Sequence, residues 1–175
     1  MNRRTLNNYG GFPLRSVISG KPDAVSYITG NKYYQNISGF VFLYQTNSGV
    51  VVWSEIRGLP HGTNVCNDRI FGFHIHEGGT CEGTTTDPFS LSGPHYNPQD
   101  CDHPYHAGDL PPLFGNKGLA LSVFLTNRFT VNDVIGRIFI IHDSPDDFTS
   151  QPSGNSGSKI ACGVIIKTDW RRKRF

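Results

Sequence analysis

Apolar side chains recur at every second position in short bursts along this chain, and the bursts are separated by glycine, proline, asparagine and serine. A period of two places alternate residues on opposite faces of a strand, so each burst predicts a half-buried β-strand. Residues 24–30 (AVSYITG), 37–45 (ISGFVFLYQ) and 50–58 (VVVWSEIRG) are the first three. The Thr-Asn-Ser-Gly stretch between the second and third predicts a β-hairpin. Further strands are predicted at 70–76 (IFGFHIH), 118–127 (GLALSVFLTN), 134–142 (VIGRIFIIH) and 159–167 (KIACGVIIK). No window sustains a 3.6-residue apolar period, so little helix is expected. The first 22 residues are polar and aperiodic and read as a loose arm.

Two segments break the rhythm. Residues 77–116 and 143–158 are irregular and rich in Gly, Pro, Asp and Ser. Connections longer than about 15 residues are uncommon in compact domains and are usually functional or disordered. Here they hold most of the chain's reactive side chains, which favours function.

Composition narrows the class. The chain has 175 residues, of which 37% are hydrophobic and 17% charged, with 20 glycines and 11 prolines. That mixture suits one domain of many short strands joined by turns. No apolar run approaches the roughly 20 residues that span a bilayer. The N-terminus lacks the apolar stretch of a secretory signal, so the chain as written reads as cytoplasmic, or as periplasmic or secreted if a leader has been removed. The net charge of +2 is a property of the tail: Arg171, Arg172, Lys173 and Arg174 carry four positive charges, without which the net is −2. A near-neutral body predicts no nucleic-acid partner.

The candidate chemistry is histidine. Six of the seven histidines fall between positions 74 and 142. His74 and His76 share a strand face, and one such pair alone is consistent with an ordinary polar outer face. His95, His103, His106 and Asp109, crowded into one loop, would make an N3O donor set of the tetrahedral kind that zinc prefers. His74, His76 and His142, at strands or strand ends, would give an all-nitrogen set suited to Cu(II). Four ligands at each metal require one shared ring. His95 lies between the groups, and an imidazole has two nitrogens to offer.

Five segments, GFHIHE, GPHYNP, HAGDL, GRIFIIHDSPDD and GNSGSKIACGVI, resemble in order the signatures of the copper/zinc superoxide dismutase family. The resemblance covers about residues 24–167. It implies an eight-stranded antiparallel Greek-key barrel over residues 23–168, flanked by the arm at 1–22 and a basic tail at 169–175. It further implies copper at His74, His76, His95 and His142, zinc at His95, His103, His106 and Asp109, and a carboxylate at Asp146 linking the two sites by hydrogen bonds. Cys81 and Cys162 match the family's intrasubunit disulfide. Cys66 and Cys101 are additional: either a second disulfide between them clamps the zinc loop, or both are free thiols. No Cys-x-x-Cys pair suggests that cysteine binds metal.

The reaction implied is dismutation of superoxide to dioxygen and hydrogen peroxide, with the His95 ring carrying a proton to nascent peroxide. Lys159 stands where the family's channel arginine is expected, keeping the charge but losing the planar fork. Residues 143–158 hold Asp143, Asp146 and Asp147 and no basic residue, so weaker electrostatic capture of the anion is expected. Only Pro-Tyr separates His103 from His106, a short zinc loop. His61, in an insertion before the first metal strand, reads as a surface residue. A noncatalytic metal-binding domain of the same fold is the alternative, although such relatives typically lose a copper ligand. A metal-dependent hydrolase is weaker, because the three-His-one-Asp set has no open position. The resemblance leaves a homodimer possible without defining its contacts.

Overall fold

A computed structural model describes residues 12–64 and 69–169. Its strands are β1 (Ala24–Gly30), β2 (Ser38–Thr46), β3 (Gly49–Arg57), β4 (Ile70–Phe71), β5 (Phe73–His76), β6 (Leu113–Phe114), β7 (Ala120–Thr126), β8 (Ile138–His142) and β9 (Lys159–Lys167). The described helices are a turn at α1 (Leu14–Ile18), another at α2 (Val131–Val134) and a 3-10 turn at Ser90–Ser92. α1 lies within the stretch predicted to be irregular, and Tyr44 Oη donates to Ile18 O where it meets β2.

The predicted hairpin is present. β2 and β3 pair antiparallel from Ser38↔Arg57 to Thr46↔Gly49, leaving Asn47 and Ser48 as a two-residue turn. The strand predicted at 134–142 starts late. Thr130 and Asp133 form a reciprocal capping box that opens α2 instead, and β8 begins only at Ile138.

Seven strands form one antiparallel sheet in the order β5-β8-β9-β1-β2-β3-β7, and β4 pairs with β6. The path from β3 through β4 to β5 and the connection β7→β8 both cross between the sheet's two ends, which is Greek-key topology. β6 also packs against β7, and β4 runs into β5, so the ends are brought together. The sequence 70–76, expected as one strand, is therefore one strand interrupted at Gly72, and with it the barrel has eight. Gly72 N–H donates to Ser144 O in the second loop, while Gly72 O accepts from His142 N–H at the end of β8. A side chain there would meet Ser156 Oγ at 2.9 Å.

The barrel interior is apolar, with Ile28, Leu43, Ile56, Phe71, Phe73 and Leu113 among its fully buried members. All four residues of β5 are buried. Phe73 and Ile75 belong to the interior cluster, so His74 and His76 face the other way, and only the long loops can cover them. A smaller apolar cluster of Phe89, Ile138, Ile140 and Cys162 lies beneath those loops, with Cys81 packed against it. The Cys81–Cys162 disulfide ties the loop after β5 to β9 across 81 residues.

Closing a loop of that length restricts the unfolded chain by roughly 4–5 kcal/mol in the entropic model. The Cys81→Ala/Cys162→Ala variant, stripped of metal, is expected to unfold at a clearly lower urea concentration with an altered m value. An unchanged midpoint would show that the bond contributes nothing to stability.

Candidate metal centre

β5 presents His74 and His76 on one face, and β8 delivers His142 at its end, where the ladder with β9 shifts register. The long loop is strapped along the other edge of β5. Ile75 N–H donates to Gly108 O, Tyr96 N–H donates to Ile75 O, and Gly108 N–H donates to Tyr96 O, each at 2.8–2.9 Å. Backbone bridges His76↔His95 and His74↔Asp109 result. Gly108 permits this approach, since a Cβ there would lie 2.3 Å from Ile75 O. Residues far apart in sequence thereby meet on one strand.

Two groups of donor atoms form. Those of His74, His76, His95 and His142 lie within 4.8 Å of one another, as do those of His95, His103, His106 and Asp109. His95 belongs to both, and all seven residues are buried. His61, by contrast, is exposed and outside both groups.

Hydrogen bonds orient the rings. Asp146 receives His74 Nε2 on one carboxylate oxygen at 2.7 Å and His103 Nε2 on the other at 2.9 Å. His76 Nδ1 lies 2.8 Å from Gly93 O, and His142 Nδ1 lies 3.3 Å from Gly157 O. Carboxylate and carbonyl oxygens only accept, so each of these nitrogens carries the proton and the opposite one is bare. His74 Nδ1, His95 Nε2, His103 Nδ1 and His106 Nδ1 are buried without a hydrogen-bond partner. His103 Nδ1 and His106 Nδ1 are 3.1 and 3.3 Å from Asp109 Oδ2, yet neither is aligned to donate to it. His76 Nε2 and His142 Nε2 face each other at 3.4 Å as two bare lone pairs. Buried polar atoms without partners are costly. A cation at each focus satisfies all of them, and the donor sets fit copper and zinc.

The rings are kept ready to coordinate. Burial pushes His74 down to about 4 and His142 to about 3, and holds His76 well below its ordinary value. All three are neutral at pH 7. Burial alone would raise Asp146, but hydrogen bonds from His74, the Phe148 N–H and His103 outweigh it and hold the carboxyl at about 2. Asp109 is lowered in the same way, burial being outweighed by the hydrogen bond and charge interactions with His95 and by its other histidine neighbours.

Lys159 opens β9 directly opposite His142 in the ladder. Its Nζ lies 3.4 Å from Phe89 O, which holds the half-buried side chain beside the copper-type group. Cys101 carries a free thiol, and Cys66, its predicted partner, lies outside the described residues.

Three further contributors were not singled out in the sequence, although Gly154 opens the GNSGSKIACGVI segment. Gln151 clamps His103 from the second loop, its Oε1 accepting from His103 N–H at 3.0 Å and its Nε2 donating to His103 O at 2.7 Å. Gly154 has φ +66, and a Cβ there would come within 2.0 Å of Asp146 Oδ1. Arg128 reaches three carbonyls of the zinc-type loop. Spacing does not announce any of them, because each acts on atoms brought near only by the fold.

The family model described as copper/zinc superoxide dismutase matches residues 37–165. Among curated proteins, the Cu-Zn superoxide dismutase 2 of Aquifex aeolicus is 34% identical over 144 residues, which is 74% of this chain and 79% of that protein. Cu-Zn superoxide dismutase 1 of the same organism is 34% identical over 138 residues, covering 70% and 76% of the two chains. The Cu-Zn superoxide dismutase of Photobacterium leiognathi is 33% identical over 141 residues, covering 73% and 78%.

The depressed histidines make the metal-free protein acid-sensitive. An unfolded histidine titrates near 6.5, whereas His74 and His142 do so only near 4 and 3 when folded. Below about pH 6.5 the unfolded chain binds more protons, so stability falls with pH, by roughly 2 kcal/mol per histidine at pH 5. Asp146, with a folded value below 3.8, adds a further loss only under about pH 3.8. The urea midpoint of metal-free protein is expected to drop steadily from pH 7 to pH 4.5; a flat profile contradicts neutral, buried rings.

Proposed function

The chain belongs to the copper/zinc superoxide dismutase family, and we propose that His74, His76, His95 and His142 hold its copper while His95, His103, His106 and Asp109 hold its zinc. The protein is an oxidoreductase that converts two superoxide anions and two protons into dioxygen and hydrogen peroxide. The observation that carries the residue assignment is the set of bare, buried ring nitrogens converging on two foci that share one imidazole.

When bound, copper supplies a Cu(II)/Cu(I) couple that takes an electron from one superoxide and returns it to the next, and zinc supplies fixed charge without redox change. The remaining work falls to side chains. Asp146 holds the Nε2 protons of His74 and His103 and so keeps their Nδ1 atoms bare. Gly93 and Gly157 carbonyls do the same for His76 and His142 by the opposite tautomer. The His95 ring spans the two groups, with Nδ1 2.7 Å from Asp109 Oδ1 on the zinc side and Nε2 bare on the copper side, so Nε2 is the nitrogen that would take up a proton and pass it to the reduced substrate. Lys159 supplies the positive charge that draws the anion in, an electrostatic steering effect well known for superoxide dismutases as a class.

A noncatalytic metal-binding domain would be favoured by a missing ligand. All four copper-type histidines are present and gathered, which favours the enzyme. Purified protein loaded with both metals is expected to contain one copper and one zinc per chain and to show a Cu(II) visible band that a reductant bleaches. Zinc uptake with no copper would sink the catalytic reading.

The Lys159→Ala variant is expected to lose up to about tenfold in second-order rate constant and to show a flatter dependence on ionic strength. Equal rates for variant and parent at low salt would remove Lys159 from substrate capture.

A further inference from the structure

Three zinc-type ligands come from the short segment 103–109, and something must hold so short a loop in shape before metal arrives. His95, the fourth ligand, is fixed by its backbone bridge to β5. His103 is held at its own N–H and C=O by Gln151. The turn His106–Asp109 closes on itself, with Asp109 Oδ2 accepting from His106 N–H at 3.0 Å. On its outer side stands Arg128, in the link between β7 and α2, whose Nη1 lies 3.1 Å from Pro104 O, 3.2 Å from His106 O and 3.2 Å from Asp109 O.

We propose that Arg128 is a positioning residue for the zinc site, one guanidinium nitrogen tying together the backbone beside His103, at His106 and at Asp109. The proposal rests on the zinc assignment above. Each of these carbonyls belongs to, or directly follows, a residue that brings a donor atom to the site. Fixing them fixes the directions in which His103, His106 and Asp109 project. A guanidinium is suited to this because it is always charged and presents several donors in a rigid plane. Its own base is firm: Arg128 N–H donates to Thr126 Oγ1 at the end of β7, and the next residue, Phe129, is buried in the barrel core. Pro104, Tyr105, Leu125 and Phe148 line the cleft beside it. With the loop pre-formed, zinc meets an assembled donor set and does not have to order the whole segment on binding. Without the guanidinium, three carbonyls lose a common partner and the ligands fan out.

The test uses the full chain, stripped of metal and reconstituted. Zinc affinity is measured by competition with a chromophoric chelator, and Co(II) placed in the zinc site reports ligand geometry through its visible bands. Arg128→Met is expected to bind zinc about 10- to 100-fold more weakly, the range typical of lost outer-sphere partners, and to show broadened, weaker Co(II) bands. Arg128→Lys, with charge but a shorter reach, is expected to recover part of both. Parent-like affinity and Co(II) spectrum in both variants overturn the proposal, as does a lowered melting temperature with the spectrum unchanged. Should Arg128→Met fail to fold, Arg128→Lys decides alone: an intermediate spectrum supports the proposal and a parent-like one overturns it. A parent chain that takes neither zinc nor cobalt refutes the ligand assignment itself.

Discussion

Neutral imidazoles packed with their lone pairs converging are repulsive until a cation lies between them. That arrangement governs the rest of this molecule. Four ring nitrogens are buried without hydrogen bonds, and two more face each other bare at 3.4 Å. A chain released from such a constraint would turn the rings outward to water. Here Asp146 holds the opposite edge of His74 and His103, the carbonyls of Gly93 and Gly157 hold that of His76 and His142, and Asp109 holds His95 Nδ1. The metal-free fold therefore stores unsatisfied polarity that metal binding relieves, which couples metal affinity to folding.

The barrel's contribution is a strand buried on both faces. β5 packs Phe73 and Ile75 into the apolar interior and sends His74 and His76 under the loops. Each long loop is then fastened to the barrel near the site. The first is laid along β5 through Tyr96 and Gly108 and tied to β9 by the Cys81–Cys162 bond. The second is drawn to the break at Gly72, where Ser144 O accepts from Gly72 N–H and Ser156 fills the space a side chain would need. Irregular chain of this length would not hold a ligand to a fraction of an ångström unless a rigid scaffold fixed it at several points.

Charge near the site is sparse. Lys159 is the basic residue that the ladder places beside His142, while Asp143, Asp146 and Asp147 all lie in the adjoining loop. Asp146 is spent on the two histidines and Asp147 on the hydroxyls and N–H groups of Thr149 and Ser150. Much of the acidic charge therefore serves internal bonds. The Lys159 head is itself steadied by Phe89 O, and the Arg69 guanidinium donates to Asp143 O next to His142.

Much of this was legible in the sequence. Alternation alone located β1, the β2–β3 hairpin and β9, because a strand with one face on a core must alternate. The histidines that the fold gathers into two groups were legible as candidates because histidine is scarce and six of seven cluster in sequence. Their division between copper and zinc drew on resemblance as well as on spacing. What the sequence could not show was contact made at a distance by backbone atoms. The break at Gly72 depends on Ser144, the start of β8 on a capping box, and the clamps of Gln151 and Arg128 on carbonyls 48 and 19–24 residues away. Residue types set which atoms can bind a metal; only the closed barrel, by deciding which loops lie against β5, set where those atoms point.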